Sequence, residues 1–286
     1  MKKRIEPKAN YSAIFINGKT IRIPLDTSKP ITELQHPEFY DIGINSLCYA
    51  KCPWCYTSAT ARGKNFKDIV KKVNAYFGQM SHNDRPFQVA IGGSGEPTLH
   101  PEFASVLEAF SKLGIVPNYT TNGMHLSSQI LAATQQYCGG VAVSAHPHIK
   151  SWEPAIGKLL NQNIKTNLHY IVSDAESISA LDTIYAKYSE HIDYIVLLPQ
   201  INIGFATGKN AKAVDYKALA NWLKDKIKQG NLAFGSNMYK FLLQHPEYNT
   251  SLYPPEILSK YLTMDNMTIY NNSFEMSIWK NVELKY

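Results

Sequence analysis

Three of the four cysteines of this 286-residue chain fall in one short stretch, Asn45-Ser46-Leu47-Cys48-Tyr49-Ala50-Lys51-Cys52-Pro53-Trp54-Cys55-Tyr56. Their spacing is C-x3-C-x2-C. Cysteine thiolates are the usual protein ligands of iron–sulfur clusters. A cluster of four irons held by only three cysteines leaves one iron open to a further ligand. Zinc is the competing reading, but a structural zinc site needs four closed ligands. The nearest histidines, His36 and His82, have no finger spacing. Cys138 stands far off, and three clustered cysteines with one left over do not suit a disulfide framework. Such a group suits a metal site in a reducing compartment. Cys138 itself reads as buried and inert.

Other residues with chemical potential sit where apolar runs end. Gly92-Gly93-Ser94-Gly95-Glu96-Pro97 follows residues 87–91, Thr120-Thr121-Asn122-Gly123 closes residues 115–121, and Ser144 ends residues 140–145. Glycines let a backbone approach a ligand closely, and a carboxylate answers an ammonium. Asn167 and His169 alternate along a further run and point to the same side of a strand.

The elements that position these residues follow from periodicity. Residues 11–25 read as a β-hairpin around Asn17-Gly18, a type I′ turn pair. A proline-containing connection, 29–37, leads on. Strands are expected at 39–44, 87–91, 115–121, 140–145, 166–172 and 193–198. Helices are expected at 66–77, from Pro101 onward, and at 127–137, 152–160, 177–188 and 214–227. A regular β-then-α order predicts a parallel sheet with right-handed crossovers. Six such units are too few for an eight-stranded barrel. The expected fold is α/β, a partial (β/α)6 barrel, with 232–234 as a further strand. The division is an N-terminal hairpin extension (1–38), a partial barrel (39–235) and a C-terminal cap (236–286). Within the cap, 267–270 and 274–279 flank Asn271-Asn272 like a hairpin.

Cysteine triad, strand ends and element order together resemble the radical S-adenosylmethionine (SAM) superfamily over roughly residues 39–205. The resemblance also uses Trp54 before the last cysteine, Gly93-Ser94-Gly95-Glu96-Pro97 as the Gly-Gly-Glu motif, and Tyr119-Thr120-Thr121-Asn122-Gly123 as the Thr-Asn-Gly turn. It implies that Cys48, Cys52 and Cys55 ligate one [4Fe–4S] cluster and are the catalytic residues. It implies cofactor contacts from Trp54, Tyr56, Gly93, Gly95, Glu96, Asn122, Ser144, Asn167 and His169. The implied reaction is reductive cleavage of SAM to a 5′-deoxyadenosyl radical that abstracts hydrogen from a small molecule, nucleotide or peptide. An electron donor such as flavodoxin or ferredoxin is then a partner. With no cysteine after Cys138, the chain cannot build the cysteine-ligated auxiliary clusters of the SPASM type.

Bulk properties bound the alternatives. Hydrophobic residues make up 44% and charged residues 18%, enough for a sizeable core. No apolar run is long enough to span a bilayer, and no signal-peptide pattern follows Met1-Lys2-Lys3-Arg4. A cytoplasmic, membrane-free protein is expected. The net charge of +6 is spread along the sequence, with no block of like charges. It reads as a solvated basic surface and leaves nucleic acid as a weakly supported partner. The competing functions are a glycyl-radical-enzyme activase, a nucleic-acid-modifying radical SAM enzyme, and a non-catalytic iron–sulfur or SAM-binding protein.

Overall fold

The computed structural model describes residues 1–32, 34–226, 231–248, 259–265, 267–271 and 281–283. Its first residues form a three-stranded antiparallel sheet, β1 (Lys2–Glu6), β2 (Tyr11–Ile16) and β3 (Lys19–Pro24), in the order β1-β2-β3. Asn17 and Gly18 turn the chain at φ 51° and 77°, the left-handed pair that a two-residue hairpin requires. The sequence predicts β2 and β3 but not β1, whose Lys-Lys-Arg start shows no apolar alternation. Tertiary contacts hold β1 in place. The buried Arg4 side chain donates to the carbonyls of His36, Asp84 and Arg85.

The remaining described strands form a ten-stranded sheet. Its first six parallel strands are β4 (Phe39–Gly43), β5 (Gln88–Ile91), β6 (Val116–Thr121), β7 (Gly140–Ser144), β8 (Thr166–Val172) and β9 (Tyr194–Pro199). Each is followed by a helix: α1 (Ile69–Gly78), α2 (Phe103–Lys112), α3 (Ser128–Tyr137), α4 (Trp152–Leu160), α5 (Ala175–Tyr188) and α6 (Tyr216–Lys226). Ser127 caps α3 and Asp174 caps α5, each accepting a backbone N–H three residues on. These are the six units expected, within a residue or two at most ends. The sheet curls into a half-barrel rather than closing.

Both edges of the six-unit core gain a parallel strand. β10 (Leu232–Phe234) pairs with β9, as expected from its sequence. A short helix, α7 (Tyr239–Gln244), follows. The chain then crosses to the other edge, where β11 (Ser259–Thr263) pairs parallel with β4 and gives an eighth parallel strand. β12 (Thr268–Asn271) and β13 (Asn281–Glu283) extend that edge antiparallel. Over these residues the segment read as a cap is an extension of the sheet. The expected hairpin partner, 274–279, lies outside the described residues. So does Tyr253.

Burial alternates along β5, β6, β8 and β9, whereas β7 is buried from Gly140 to Val143. Ile42, Val89, Ile91, Val141, Val143, Leu168, Ile195 and Leu197 face the helices and are fully buried. Most residues between them face the inside of the half-barrel and keep partial exposure, Ala142 excepted. A second core, with Tyr11, Ala13, Phe15 and Phe87, seats the N-terminal sheet under the first strands. Phe15 and Phe87 stack with centroids 5.6 Å apart. Arg22 of β3 reaches the floor of the barrel and grips Glu38 through two guanidinium nitrogens, at 3.0 and 2.8 Å. Among the described residues no helix is long and apolar enough to cross a membrane.

Candidate active site

β4 ends at Gly43 and releases the chain into the cysteine loop. Cys48 N donates to Thr60 O at 3.0 Å and Cys55 N to Cys52 O at 3.2 Å, so the loop is a set of tight turns pinned to its own exit. All three thiols are free, half-buried and turned toward one cavity. Burial pushes the Cys48 thiol up, and it pushes Cys52 up to about 12, with the neighbouring Cys55 and Cys48 adding to the shift. Ala50 N and Asn122 Nδ2 donate to Cys48 Sγ at 3.5 and 3.7 Å. Those bonds favour the thiolate. Trp54 stands edge-on to His148 and His146, with centroids at 4.9 and 5.8 Å. His148 in turn meets Ala50 O at 3.1 Å.

The end of β5 is the second wall. A Cβ added to Gly95 would lie 2.5 Å from Asn45 Oδ1 and 2.8 Å from Leu47 O, so only glycine lets this strand end approach the cysteine loop. Gly93, at φ 81°, lies against the rings of Tyr261 and Tyr56. Glu96 is 3% exposed and serves as a hub. Its Oε1 accepts from Thr98 N (3.3 Å), Thr98 Oγ1 (2.6 Å) and Thr121 Oγ1 (2.8 Å), and its Oε2 accepts from Asn122 N (2.8 Å). Burial raises its pKa, and the bonds from Asn122, Thr98 and Thr121 oppose that shift. A carboxylate has about four acceptor positions. Glu96 therefore holds β5 to the Thr-Asn-Gly turn of β6 and keeps room on Oε2 for one more donor.

Between these walls lies a cavity of about 700 Å³, within the range of small-molecule and cofactor sites. Cys48, Cys52, Trp54, Cys55, Tyr56, Gly93, Gly95, Glu96, Asn122, Ser144 and His169 all line it. The sequence singles out each of them. Asn167 does not line it; it sits one pleat deeper on β8, and its Oδ1 is buried without a partner. His146 also lines the cavity, and burial lowers both it and His169 to about 4. Both imidazoles are therefore neutral at pH 7. Cys138 lies away from the cavity, and burial pushes its thiol up.

Tyr261 is one of the lining residues that sequence reasoning does not place in the site. It arrives on β11, and its hydroxyl stands over Gly43, where an added Cβ would be 2.3 Å away. No local pattern in the sequence announces that meeting. Thr121 as a Glu96 partner is likewise invisible, whereas Thr98, two residues from Glu96, follows the local logic of a cap. Burial, with Tyr261 and Asp41 adding, pushes the Tyr56 phenol up.

The donor set fits an iron–sulfur cluster better than a single ion. Three thiols line one cavity, yet among the described residues no three His, Cys, Asp or Glu side chains close around one metal ion. A cluster needs each thiol on a different iron, so its ligands stand apart. Trp54 Nε1, buried without a partner beside the last cysteine, is a donor still to be answered.

The family model of the radical SAM superfamily matches residues 43–204. No curated protein matches the chain. Among solved structures, Streptococcus suis SuiB bound to the precursor peptide SuiA is similar at 17% identity and TM-score 0.65, covering 83% of this chain and 60% of that one. anSMEcpe with bound AdoMet is similar at 16% identity and TM-score 0.63, covering 84% and 75%. anSMEcpe with bound AdoMet and the Kp18Cys peptide is similar at 14% identity and TM-score 0.61, covering 85% and 76%. This chain thus spans about 60% of the length of SuiB. At these identities the likeness is one of fold.

Proposed function

The chain belongs to the radical SAM superfamily, enzymes that use a [4Fe–4S] cluster and SAM, and from that premise we propose how its own residues serve the reaction. Cys48, Cys52 and Cys55 are the cluster ligands. Gly93, Gly95, Glu96, Asn122, Ser144 and His169 form the SAM site. When bound, the cluster and SAM supply one electron and a 5′-deoxyadenosyl radical, which takes hydrogen from the substrate. The observation that carries this reading is the convergence of the three thiols and these strand ends on one cavity.

The protein's part is binding, orientation and exclusion of water. Asn122 orients the Cys48 sulfur while its backbone N–H is held by Glu96. The free acceptor position on Glu96 Oε2 takes an ammonium donor, and the hub keeps that oxygen still. Ser144 and the neutral His169, register partners on β7 and β8, offer hydrogen bonds to ribose or carboxylate oxygens without adding charge. Trp54 lines the cavity beside the last cysteine, and its unpartnered N–H would offer a hydrogen bond to the bound group.

A peptide is the substrate class with additional support. Two of the similar folds, SuiB and anSMEcpe, are seen with peptides. The half-barrel's open side would let an extended chain reach the cavity without threading. The domain division carries over with one change: the described strands Ser259–Thr263, Thr268–Asn271 and Asn281–Glu283 belong with the sheet.

Anaerobic reconstitution followed by dithionite and SAM tests this reading. 5′-Deoxyadenosine and methionine are expected in equal amounts. Product formation at the rate of a protein-free control would overturn it. Deuterium carried into 5′-deoxyadenosine from a labelled peptide pool, rather than from labelled metabolites, would support the peptide class.

A further inference from the structure

The cavity extends beyond the ring of residues assigned to SAM, which stand on or just past β5 to β8. Phe39 and Gln88, the first residues of β4 and β5, line the same cavity. From Phe39 to Gly43, where the cysteine loop begins, the strand rises by about 13 Å. The far end is lined by Arg22 and Glu38 from the floor, by Gln88, and by Asp41 on the inner face of β4. Asp41 is half-buried, and its register partners are Ala90 on β5 and Tyr261 on β11. Toward the other end of the strand order, β9, β10 and the following α7 line the cavity with Val196, Leu198, Phe234 and Leu242.

Charge in the cavity is one-sided. Among the described residues the lining carboxylates are Glu38, Asp41 and Glu96, Arg22 is the lining cation, and no lysine lines it. Arg22 is committed to Glu38 through bonds of 3.0 and 2.8 Å. His146 and His169, lowered to about 4 by burial, add no charge at pH 7. Burial pushes the Glu38 carboxyl up to about 8 against the pull of Arg4, and a further cation nearby would ease that cost. A carboxylate has about four acceptor positions, so Asp41 can hold protein neighbours and a ligand together. A phosphate entering here would face carboxylates. An aliphatic stem with a cationic tip meets an apolar wall and a carboxylate in turn.

Resting on the reading of this cavity as the SAM site, we propose that its far end is a subsite for an aliphatic cation, selected by Asp41. The substrate residue is a lysine or arginine of a peptide. Its methylene stem lies against Val196, Leu198 and Phe234, and its tip reaches Asp41. Asp41 stands two residues below Gly43 on β4, a drop of about 7 Å. A lysine or arginine side chain spans that distance, whereas serine, threonine or asparagine does not. Opposite charges brought together out of water give selectivity more than affinity. A site built to bond a polar group also rejects the analogue that lacks it. Asp41 is thus a specificity-determining residue, and the chemistry of the cavity disfavours a nucleotide substrate.

The test titrates end-capped pentapeptides into the reconstituted, SAM-loaded full chain under anaerobic conditions. Peptides with a central lysine or arginine between glycines should bind roughly tenfold or more tightly than counterparts with norleucine or glutamate. The net charge of +6 by itself favours the glutamate peptide, so a lysine preference has to come from the site. It should persist at about 0.5 M salt, where surface charges are screened. Asp41→Asn should bring the lysine and norleucine peptides to within about threefold of each other. Asp41→Lys should turn the preference to glutamate, a gain that a folding defect cannot produce. Uniformly deuterated lysine in the peptide should pass deuterium to 5′-deoxyadenosine; transfer from a norleucine peptide alone would overturn the assignment. Equal binding of the norleucine and lysine peptides by the wild type overturns the subsite. Tighter binding of free lysine than of the capped peptide overturns the peptide as its source. SAM cleavage without charge preference sinks the subsite alone, and charge preference without SAM cleavage sinks the SAM reading alone.

Discussion

The two faces of the parallel sheet have the same backbone and nearly opposite chemistry. Toward the helices stand Ile42, Ile91, Val141, Leu168 and Ile195, fully buried. Toward the half-barrel interior stand Asp41, Gln88, Thr120, Ser144 and His169, which line the cavity. A parallel sheet covered on both faces ordinarily reads as continuous apolar runs. Here polar residues interrupt those runs on the inner face, beside apolar ones such as Phe39, Ile171, Val196 and Leu198, and burying a polar group costs stability unless something bonds to it. The comparison teaches that the outer face holds the fold while the inner face is kept for a ligand, with Glu96 at the rim serving both.

Substitutions on the two faces should separate stability from binding. The largest effect on folding belongs to the helix side. Phe77→Ala removes a fully buried ring from the core and should cost about 3–5 kcal/mol in urea unfolding. SAM affinity per folded molecule should stay unchanged. A loss below about 1 kcal/mol would mean that this face is not what holds the sheet.

Glu96→Gln comes next, because it touches both faces. Its amide NH₂ would confront donors from Thr98 and Thr121 or from Asn122, so about 1–3 kcal/mol should be lost. SAM binding should weaken at the same time. Wild-type affinity in a destabilised Glu96→Gln protein would reduce the residue to a strut between β5 and β6.

His169 gives a smaller effect that depends on pH. Its folded pKa is near 4, lowered by burial, against an unfolded value near 6.5. Between those values the unfolded chain takes up the proton first. Stability from this residue is therefore full above pH 6.5 and falls toward pH 4, by at most ~1.4 kcal/mol per unit. Apoprotein carrying His169→Leu should lose less stability between pH 7 and 5 than the wild type does. Equal slopes would place His169 in a solvated site.

Smallest in stability is Ser144→Ala, expected within about 0.5 kcal/mol of wild type. Isothermal titration should nonetheless show weaker SAM binding. Normal binding would remove Ser144 from the site and blunt the contrast between the faces.

The repeating units were legible because local pattern decides them. Short apolar runs give each strand, and apolar residues at helical spacing with proline and glycine punctuation give the helices between them. The same local logic exposes the cysteine loop, the glycine-rich strand end and the Asn122 turn. What stayed hidden depends on distance in sequence. β1 begins with three basic residues and is held by Arg4 reaching carbonyls far along the chain. β11 is a short Ser-Lys-Tyr-Leu-Thr run with little pattern, fixed by pairing with β4. Its Tyr261 entered the site unannounced, as did the bond from Asn122 to Cys48, 74 positions apart.

The central claim is that Cys48, Cys52 and Cys55 hold one SAM-binding cluster. Iron and sulfide analysis with EPR of the dithionite-reduced protein, with and without SAM, tests it most directly. About four iron and four sulfide per chain are expected in the wild type and in Cys138→Ala. The EPR signal should change when SAM is added. The triple variant Cys48→Ala/Cys52→Ala/Cys55→Ala should retain neither the cluster nor the signal. A four-iron cluster surviving in that variant, or a wild-type signal indifferent to SAM, would contradict the account.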